Sequence, residues 1–277
     1  MPARDLAGKR ILITGASMGI GYALAMAAAK RGAHVLAMAR SSGLLDTLQR
    51  QCEAFGGKVD ALTGDITNPI DRAAAVEYAH SAHGGLDVLV NNAGIGATGH
   101  FTEVDDGILR EIFEVNFFGT VELTRLCLPL LARGHQPLLV NISSILGKRA
   151  YPARSYYSAS KFALQGWSDA IRAELHPYGV SVLVVNPGLT LTNFSVNLKA
   201  RSARLALDHK RGMSADEVAE ATMRAMIADR HEIHLTAEGQ AMVLVNRFAP
   251  WFFEWRAKRT IRKLFAAEMR AGGLPSN

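Results

Sequence analysis

The stretch SYYSASK, residues 155–161, sets two tyrosines side by side with a lysine behind them. A phenol with its ordinary pKa near about 10 is a poor proton donor or acceptor at neutral pH. A neighbouring positive charge favours the phenolate and brings the proton into exchange range. Residues four apart share one face of a helix, so Lys161 can stand beside Tyr157. Tyr156 is turned away by about 100° on the same helix and reads as packing or as cleft lining. Tyr157 and Lys161 are therefore candidates for an acid–base pair.

A second group of residues could hold an anion. The apolar run RILIT (10–14) leads into TGASMGIG, with glycines at 15, 19 and 21 and Ser17, Met18 and Ile20 between them, at the mouth of an Ala-rich helix. Gly15 allows a tight turn, Gly19 lets the backbone approach a pyrophosphate, and Gly21 allows helix and strand to pack closely. The helix start then presents unpaired N–H groups and a positive dipole end. At the end of the next strand, where NAD binders carry an acid, stand Ala39, Arg40, Ser41 and Ser42. No carboxylate is there to repel a 2′-phosphate, and Arg40 can bond one in a planar fork, so the pattern points to NADP rather than NAD.

These residues need a scaffold, and the chain supplies one. Apolar strand-length runs at 10–14, 34–39, 59–63, 87–91, 137–143, 180–186 and 232–236 alternate with helical segments near 19–32, 42–55, 69–83, 107–133, 155–177 and 215–229. Continuous apolar strands with helical crossovers mean a parallel sheet covered on both faces. The expected fold is α/β: a Rossmann-like doubly wound sheet of about seven strands, one domain over 1–277. A substrate loop is expected about 189–212 and a C-terminal helical extension about 240–270. Ligands of such sheets bind at the carboxyl ends of the strands.

Taken together, TGASMGIG, GD at 64–65, NNAG at 91–94, EVNFFGT at 114–120, NISS at 141–144, YSASK at 157–161 and NPGLTLT at 186–192 resemble the short-chain dehydrogenase/reductase family, over roughly residues 8–195. The resemblance implies an oxidoreductase that moves hydride between a nicotinamide and an apolar ketone, aldehyde or secondary alcohol, as in hydroxysteroid- or ketoreductase-like members. It implies Tyr157 as general acid/base, Ser144 as donor to the substrate oxygen, Lys161 on the nicotinamide ribose, and Asn116 anchoring a water on a proton route. It places Asp65 and Ile66 beside the adenine, Asn92, Ala93 and Gly94 along the ribose, and Pro187, Gly188, Thr190 and Thr192 facing the nicotinamide. Met18 departs from the pattern, since NADP users often carry a basic residue there. The two long helices near 107–133 and 155–177 imply a homodimer or homotetramer. A second reading of the same fold is a non-catalytic NADP-binding sensor or scaffold.

The remaining features bound the function. Ile145, Leu146, Tyr151, Leu189, Phe194 and the loop 195–212 should wall an apolar cleft. Cys52 and Cys127 both lie in helical segments, so no disulfide framework is expected; no metal spacing appears, and HEIH (231–234) reads as a strand. There is no apolar signal region at the N-terminus and no run long enough to span a membrane, so a cytoplasmic protein is expected. From Arg247 onward there are seven Lys or Arg against two Glu, +5 of the chain's +6. The body is nearly neutral, which argues against nucleic-acid binding. On PWFFEWRAKRTIRKLFAAEMR (250–270), Ala257, Ile261, Leu264, Phe265 and Met269 fall on one helical face, with Arg256, Arg259, Arg262 and Lys263 opposite. Such a helix suits the acidic inner face of a membrane, or a cap on the cleft or a neighbouring subunit; the sequence leaves both open.

Overall fold

A computed structural model of the chain describes residues 3–102, 104–192, 194, 198–200 and 212–266. Strands β1 (Arg10–Thr14), β2 (His34–Ala39), β3 (Lys58–Thr63), β4 (Val88–Asn91), β5 (Leu138–Ile142), β6 (Ser181–Asn186) and β9 (Glu232–His234) form one parallel sheet in the order β3-β2-β1-β4-β5-β6-β9. HEIH is thus a strand. A two-residue pair, β7 (Thr190–Leu191) with β8 (Met213–Ser214), clamps the base of the loop between them. The strand order reverses between β1 and β4, which opens a crevice above their carboxyl ends.

Both faces of the sheet are covered. Helices α1 (Gly19–Lys30), α2 (Ser42–Glu53) and α7 (Ala215–Ile227) pack Ala, Leu and Met against one face. Helices α3 (Pro69–Ser81), α5 (Gly119–Leu131) and α6 (Ser155–Leu175) cover the other. Local signals start these helices. Asn68 accepts the Ile70 N–H ahead of Pro69 at the start of α3, and Ser214 with Glu217 forms a reciprocal capping box on α7. Cys52 and Cys127 are buried, unpaired, and on opposite faces.

The helix expected near 107–133 is interrupted. It divides into α4 (Asp106–Phe113), a π turn over Glu114–Phe118 and α5. In the π turn the Gly119 N–H reaches the Glu114 carbonyl, five residues back. Such widened turns carry one extra residue and occur often at functional sites; here the extra turn holds Asn116.

α6 is held against the sheet by a buried polar chain. Asn91 Nδ2 donates to Thr124 Oγ1 and to Asn141 Oδ1, both at 2.9 Å. Asn141 Nδ2 donates to Ser168 Oγ at 2.8 Å, and Ser168 passes its proton to the Leu164 carbonyl at 2.6 Å. The chain joins β4, β5, α5 and α6, and broken buried bonds of this kind cost about 1–3 kcal/mol each. It therefore fixes the height of α6, and with it Tyr157 and Lys161.

The extension beyond the sheet is two helices, α8 (Ala237–Phe248) and α9 (Pro250–Leu264), broken at Ala249–Pro250. They rest on the loop after β5: Arg149 bonds Asn246 and lies 5.6 Å from the Phe253 ring centre, and Asn246 donates to the Lys148 carbonyl. Phe265 meets His100 edge-on at 4.6 Å. Met269 lies outside the described residues.

Candidate active site

The turn after β1 is built around missing side chains. A Cβ on Gly15, which has φ +66°, would lie 2.8 Å from Ala93 Cα; one on Gly21 would lie 2.3 Å from the Gly15 carbonyl oxygen. Asn92 braces the turn, donating from Nδ2 to the carbonyls of Thr14 and Gly15 at 3.0 and 3.1 Å. The Asn92 and Ala93 N–H groups both donate to Thr14 Oγ1 at 3.1 Å. Met18, extended at the start of α1, makes no side-chain cap bond to the first turn. Ser17 and Ile20 are half-buried beside it and Met18 is exposed. A close-packed glycine turn on a helix start without a side-chain cap fits the pyrophosphate of a dinucleotide.

Arg40, just after β2, is largely exposed, with Nη1 3.8 Å from Asp65 Oδ2. Asp65 Oδ1 also accepts from the N–H and hydroxyl of Thr67, and Ile66 is buried behind it. Ser41 takes the capping position of α2 without a side-chain cap bond. On the far side, the Pro187 carbonyl accepts from the Ile145 N–H at 3.0 Å, and Thr190 Oγ1 donates to the Gly188 carbonyl at 3.2 Å. Thr192 reaches over the glycine turn, where a Cβ on Gly19 would meet it at 3.4 Å.

Ser144, Tyr157 and Lys161 meet beyond the end of β5. Ser144 caps a single 3₁₀ turn, its Oγ accepting the Leu146 N–H at 3.1 Å. The Ser144 side chain also favours the ionised form of the Tyr157 phenol. Lys161 is buried, and its Nζ donates to the Ile142 carbonyl at 2.8 Å. Burial pushes its pKa down to about 8. Tyr156, as expected from its helical angle, packs away from the group, its hydroxyl on the Val104 carbonyl.

Burial pushes Tyr157 above the ordinary phenol value, while the Ser144 side chain and the charge of Arg154 pull it back. Lys161 stands beside the phenol, its Nζ 5.8 Å from the Tyr157 ring centre. Asn116, fully buried, spends both amide protons on the Ile95 carbonyl and Ser160 Oγ, at 2.9 and 3.0 Å, and takes the Ile95 N–H on Oδ1 at 2.8 Å. Its side chain thus pins residues 94–96 against α6; a Cβ on Gly94 would lie 3.3 Å from Asn116 Oδ1 and 3.7 Å from Lys161 Nζ. Arg154 was not singled out in the sequence. Its signal was a cation three residues before the tyrosine.

The cleft above is apolar where it is described. The Phe194 ring lies 5.7 Å from that of Tyr157, and a Cβ on Gly96 would meet it at 2.9 Å. Ile145 packs under Gly239 of α8; Leu146 and Leu189 are half-buried and Tyr151 is exposed. Much of the loop 195–212 lies outside the described residues. One group of metal-ligand residue types occurs among the described residues: His34, Asp60 and His83, with ligand atoms within 4.8 Å. It sits where β2 and β3 begin, at the opposite end of the strands, and is internally bonded, His83 Nε2 to Asp60 Oδ2 at 2.6 Å.

A Rossmann-like sheet with a glycine turn at its switch point and a Ser–Tyr–Lys group at the next strand end defines an NAD(P)-binding oxidoreductase. Residues 9–203 match the sequence profile described as short chain dehydrogenase, and the chain belongs to that family. It is 39% identical over 224 residues to ketoacyl reductase HetN of Nostoc sp., covering 80% of this chain and 76% of that protein. It is 37% identical to 3-ketodihydrosphingosine reductase of Bacteroides thetaiotaomicron, covering 68% and 66%. Among solved structures, a short chain dehydrogenase of Burkholderia cenocepacia in complex with NADP has a TM-score of 0.77 at 28% identity, covering 92% of this chain and 99% of that one. One of Burkholderia phymatum in complex with NAD has a TM-score of 0.82 at 22% identity over 99% and 98%, a likeness of fold. The protein is an oxidoreductase of the family that acts on C=O and CH–OH groups, and a nicotinamide dinucleotide is its cofactor.

Proposed function

We propose that the protein is an NADP-dependent reductase of an apolar, acyl-type ketone, with Tyr157 as the acid that protonates the carbonyl oxygen. The observation that carries this reading is the convergence of Ser144, Tyr157 and the buried Lys161 beyond β5, with the Phe194 ring 5.7 Å from that of Tyr157. The relatives that reduce keto groups on acyl or long-chain compounds support the substrate class. Arg40, at a strand end that carries no acid of its own, supports NADP over NAD.

The glycine turn and the start of α1 would hold the pyrophosphate, Arg40 and Ser41 the 2′-phosphate, and Lys161 with Pro187–Thr192 the nicotinamide end. When bound, the nicotinamide supplies hydride to the carbonyl carbon, or accepts it in oxidation. Ser144 directs its proton toward the substrate oxygen and stabilises the charge that grows there. Tyr157 gives its proton to that oxygen during reduction and takes it back during oxidation. Lys161, with a pKa near 8, is positively charged over most of the neutral range. Phe194 and its neighbours keep water from the reacting oxygen.

Phe118, Leu126 and Phe162 stand exposed along the π turn, α5 and α6, which supports a homo-oligomer formed through these helices. We read the chain as one cytoplasmic domain. The inner face of α8–α9 roofs the cleft, and the outer face suits the anionic surface of a membrane. That outer face exposes Leu244, Phe248, Trp251 and Trp255 beside Lys258, Arg259, Arg262 and Lys263. No helix among the described residues is long and apolar enough to cross a membrane.

The test is Tyr157→Phe. Turnover of a panel of ketones with NADPH should fall by at least about 10²-fold while NADPH binding, read by fluorescence, is retained. Unchanged turnover, or no turnover in either protein, would favour a non-catalytic sensor. Tighter binding of NADH than of NADPH would overturn the assignment of Arg40.

A further inference from the structure

Glu232, the second residue of HEIH, opens the edge strand β9 and carries a carboxylate outside the reacting group. Side chains alternate along a strand. Ile233 packs on the sheet face covered by α1 and α7, so Glu232 and His234 point to the face covered by α6. Three segments converge on this carboxylate. Its Oε1 accepts from Lys148 Nζ at 2.8 Å, from Asn186 Nδ2 at 2.8 Å and from Gln165 Nε2 at 2.9 Å. Gln165 and Asn186 are buried, and the side chains of Lys148 and Glu232 are half-buried. Glu232 is the one side-chain partner of Asn186 among the described residues; Gln165 adds a longer bond to Asp169 at 3.4 Å. An ionised acceptor makes such bonds roughly twice as strong as neutral ones. His234 Nε2 lies 3.7 Å from the other oxygen, and burial lowers its pKa, which leaves Lys148 as the cation on this carboxylate at neutral pH.

Each donor belongs to a segment that carries part of the site. Gln165 stands one helical turn beyond Lys161 on α6 and two beyond Tyr157. Asn186 ends β6 and precedes Pro187, whose carbonyl accepts the Ile145 N–H at 3.0 Å. Lys148 closes the 3₁₀ turn that Ser144 begins, its N–H on the Ile145 carbonyl at 3.0 Å. The Lys148 carbonyl accepts in turn from Asn246 of α8 at 3.3 Å, so the roof of the cleft rests on the same residue. We propose that Glu232 is a positioning residue for the reaction: through Lys148 it ties the Ser144 turn to the helix that carries Tyr157 and Lys161 and to the strand end that leads into Pro187. The proposal rests on Ser144, Tyr157 and Lys161 being the reacting group. Without the carboxylate, the chain from Asn91 to Ser168 still fixes the height of α6, but the turn after β5 loses its ionic link to that helix. A misplacement of about 1 Å in a reacting group costs up to about 10²-fold in rate.

The experiment compares Glu232→Gln and Lys148→Met with the parent by amide hydrogen exchange of the cofactor-free protein. The N–H groups of Ile145, Leu146, Gly147 and Lys148 all have acceptors, so their exchange reports on the Ser144 turn. Both variants should speed exchange over 143–149 at least about tenfold more than over β1 and β2. With a ketone that the parent reduces, both should lower kcat about tenfold and keep KM within about threefold, and Lys148→Arg should retain most of the parent rate. Unmoved exchange over 143–149 overturns the proposal. Exchange that rises equally throughout the chain, as in a variant that fails to fold, also overturns it, by showing that Glu232 supports the fold as a whole. So does a raised KM with kcat kept, which would place Lys148 on the substrate. The exchange measurement needs no substrate, so failure of the reductase assignment, seen as a parent that turns over no ketone, is read separately.

Discussion

Adding one methyl group at Gly21 should disable the cofactor turn. A Cβ there would fall 2.3 Å from the Gly15 carbonyl oxygen, 2.4 Å from Asn92 Nδ2 and 2.9 Å from the Gly15 carbonyl carbon. Two of the three atoms are backbone and cannot swing aside, so the turn must open by about 1 Å to reach ordinary contact. Overpacking of this kind costs about 1–3 kcal/mol. The Asn92 amide, bonded to Thr14 and Gly15, would be displaced and lose two hydrogen bonds worth about 1 kcal/mol each. The better helix propensity of Ala returns about 1 kcal/mol. The net loss for Gly21→Ala is about 2–4 kcal/mol, or about 5–12 °C in melting temperature for a chain of this size. NADPH affinity should drop more than tenfold, about 1.4 kcal/mol or more, because the displaced backbone is the surface offered to the pyrophosphate. Gly166, in α6, is the control: a Cβ there meets nothing within 4 Å. Gly166→Ala should be neutral or stabilising by up to about 1 kcal/mol. Thermal melts and NADPH fluorescence titrations of both variants decide the matter. If Gly21→Ala melts and binds like the parent, close packing at this turn does not determine cofactor binding.

Asp87 anchors the start of β4 and links pH to stability. Burial raises its pKa, but bonds from the Arg10 guanidinium and from the Arg10 and His135 N–H groups outweigh this and hold it at about 2. A depressed carboxylate stabilises the fold above its ordinary value and loses that contribution as pH falls through the folded value. About 2–3 kcal/mol should therefore vanish between about pH 4 and pH 2. Urea melts of the parent should show this loss, and Asp87→Asn should show a lower, flatter profile; parallel profiles would refute it. Phe194→Ala removes the ring against Tyr157 and should raise KM for an apolar ketone about tenfold with a smaller change in kcat; an unchanged KM would remove Phe194 from the substrate wall. The full chain should float with anionic liposomes at low salt, while Trp251→Ala/Trp255→Ala should not. Equal partitioning of the two proteins would exclude membrane contact through α9.

The strands, the glycine turn and the pairing of residues 157 and 161 were legible from the sequence because each is local. Strand length and apolar continuity mark a buried parallel strand, glycines at 15, 19 and 21 mark a turn that side chains would obstruct, and an interval of four marks one helix face. The resemblance added Ser144 and Asn116, which no local periodicity connects to Tyr157. Tertiary structure decided what each charge does. Lys161 lies on the expected face and the end of β5 offers it the Ile142 carbonyl, while Arg154, next to α6, has no ion pair among the described residues. The height of α6 depends on Asn91, Thr124, Asn141 and Ser168 meeting across four elements. The basic C-terminal segment, ambiguous by composition, takes its inner face from Arg149, Asn246 and Phe253. Burial and pairing depend on partners distant in the chain, so the same arginine or lysine reads alike in sequence whether folding leaves it solvated, paired or alone.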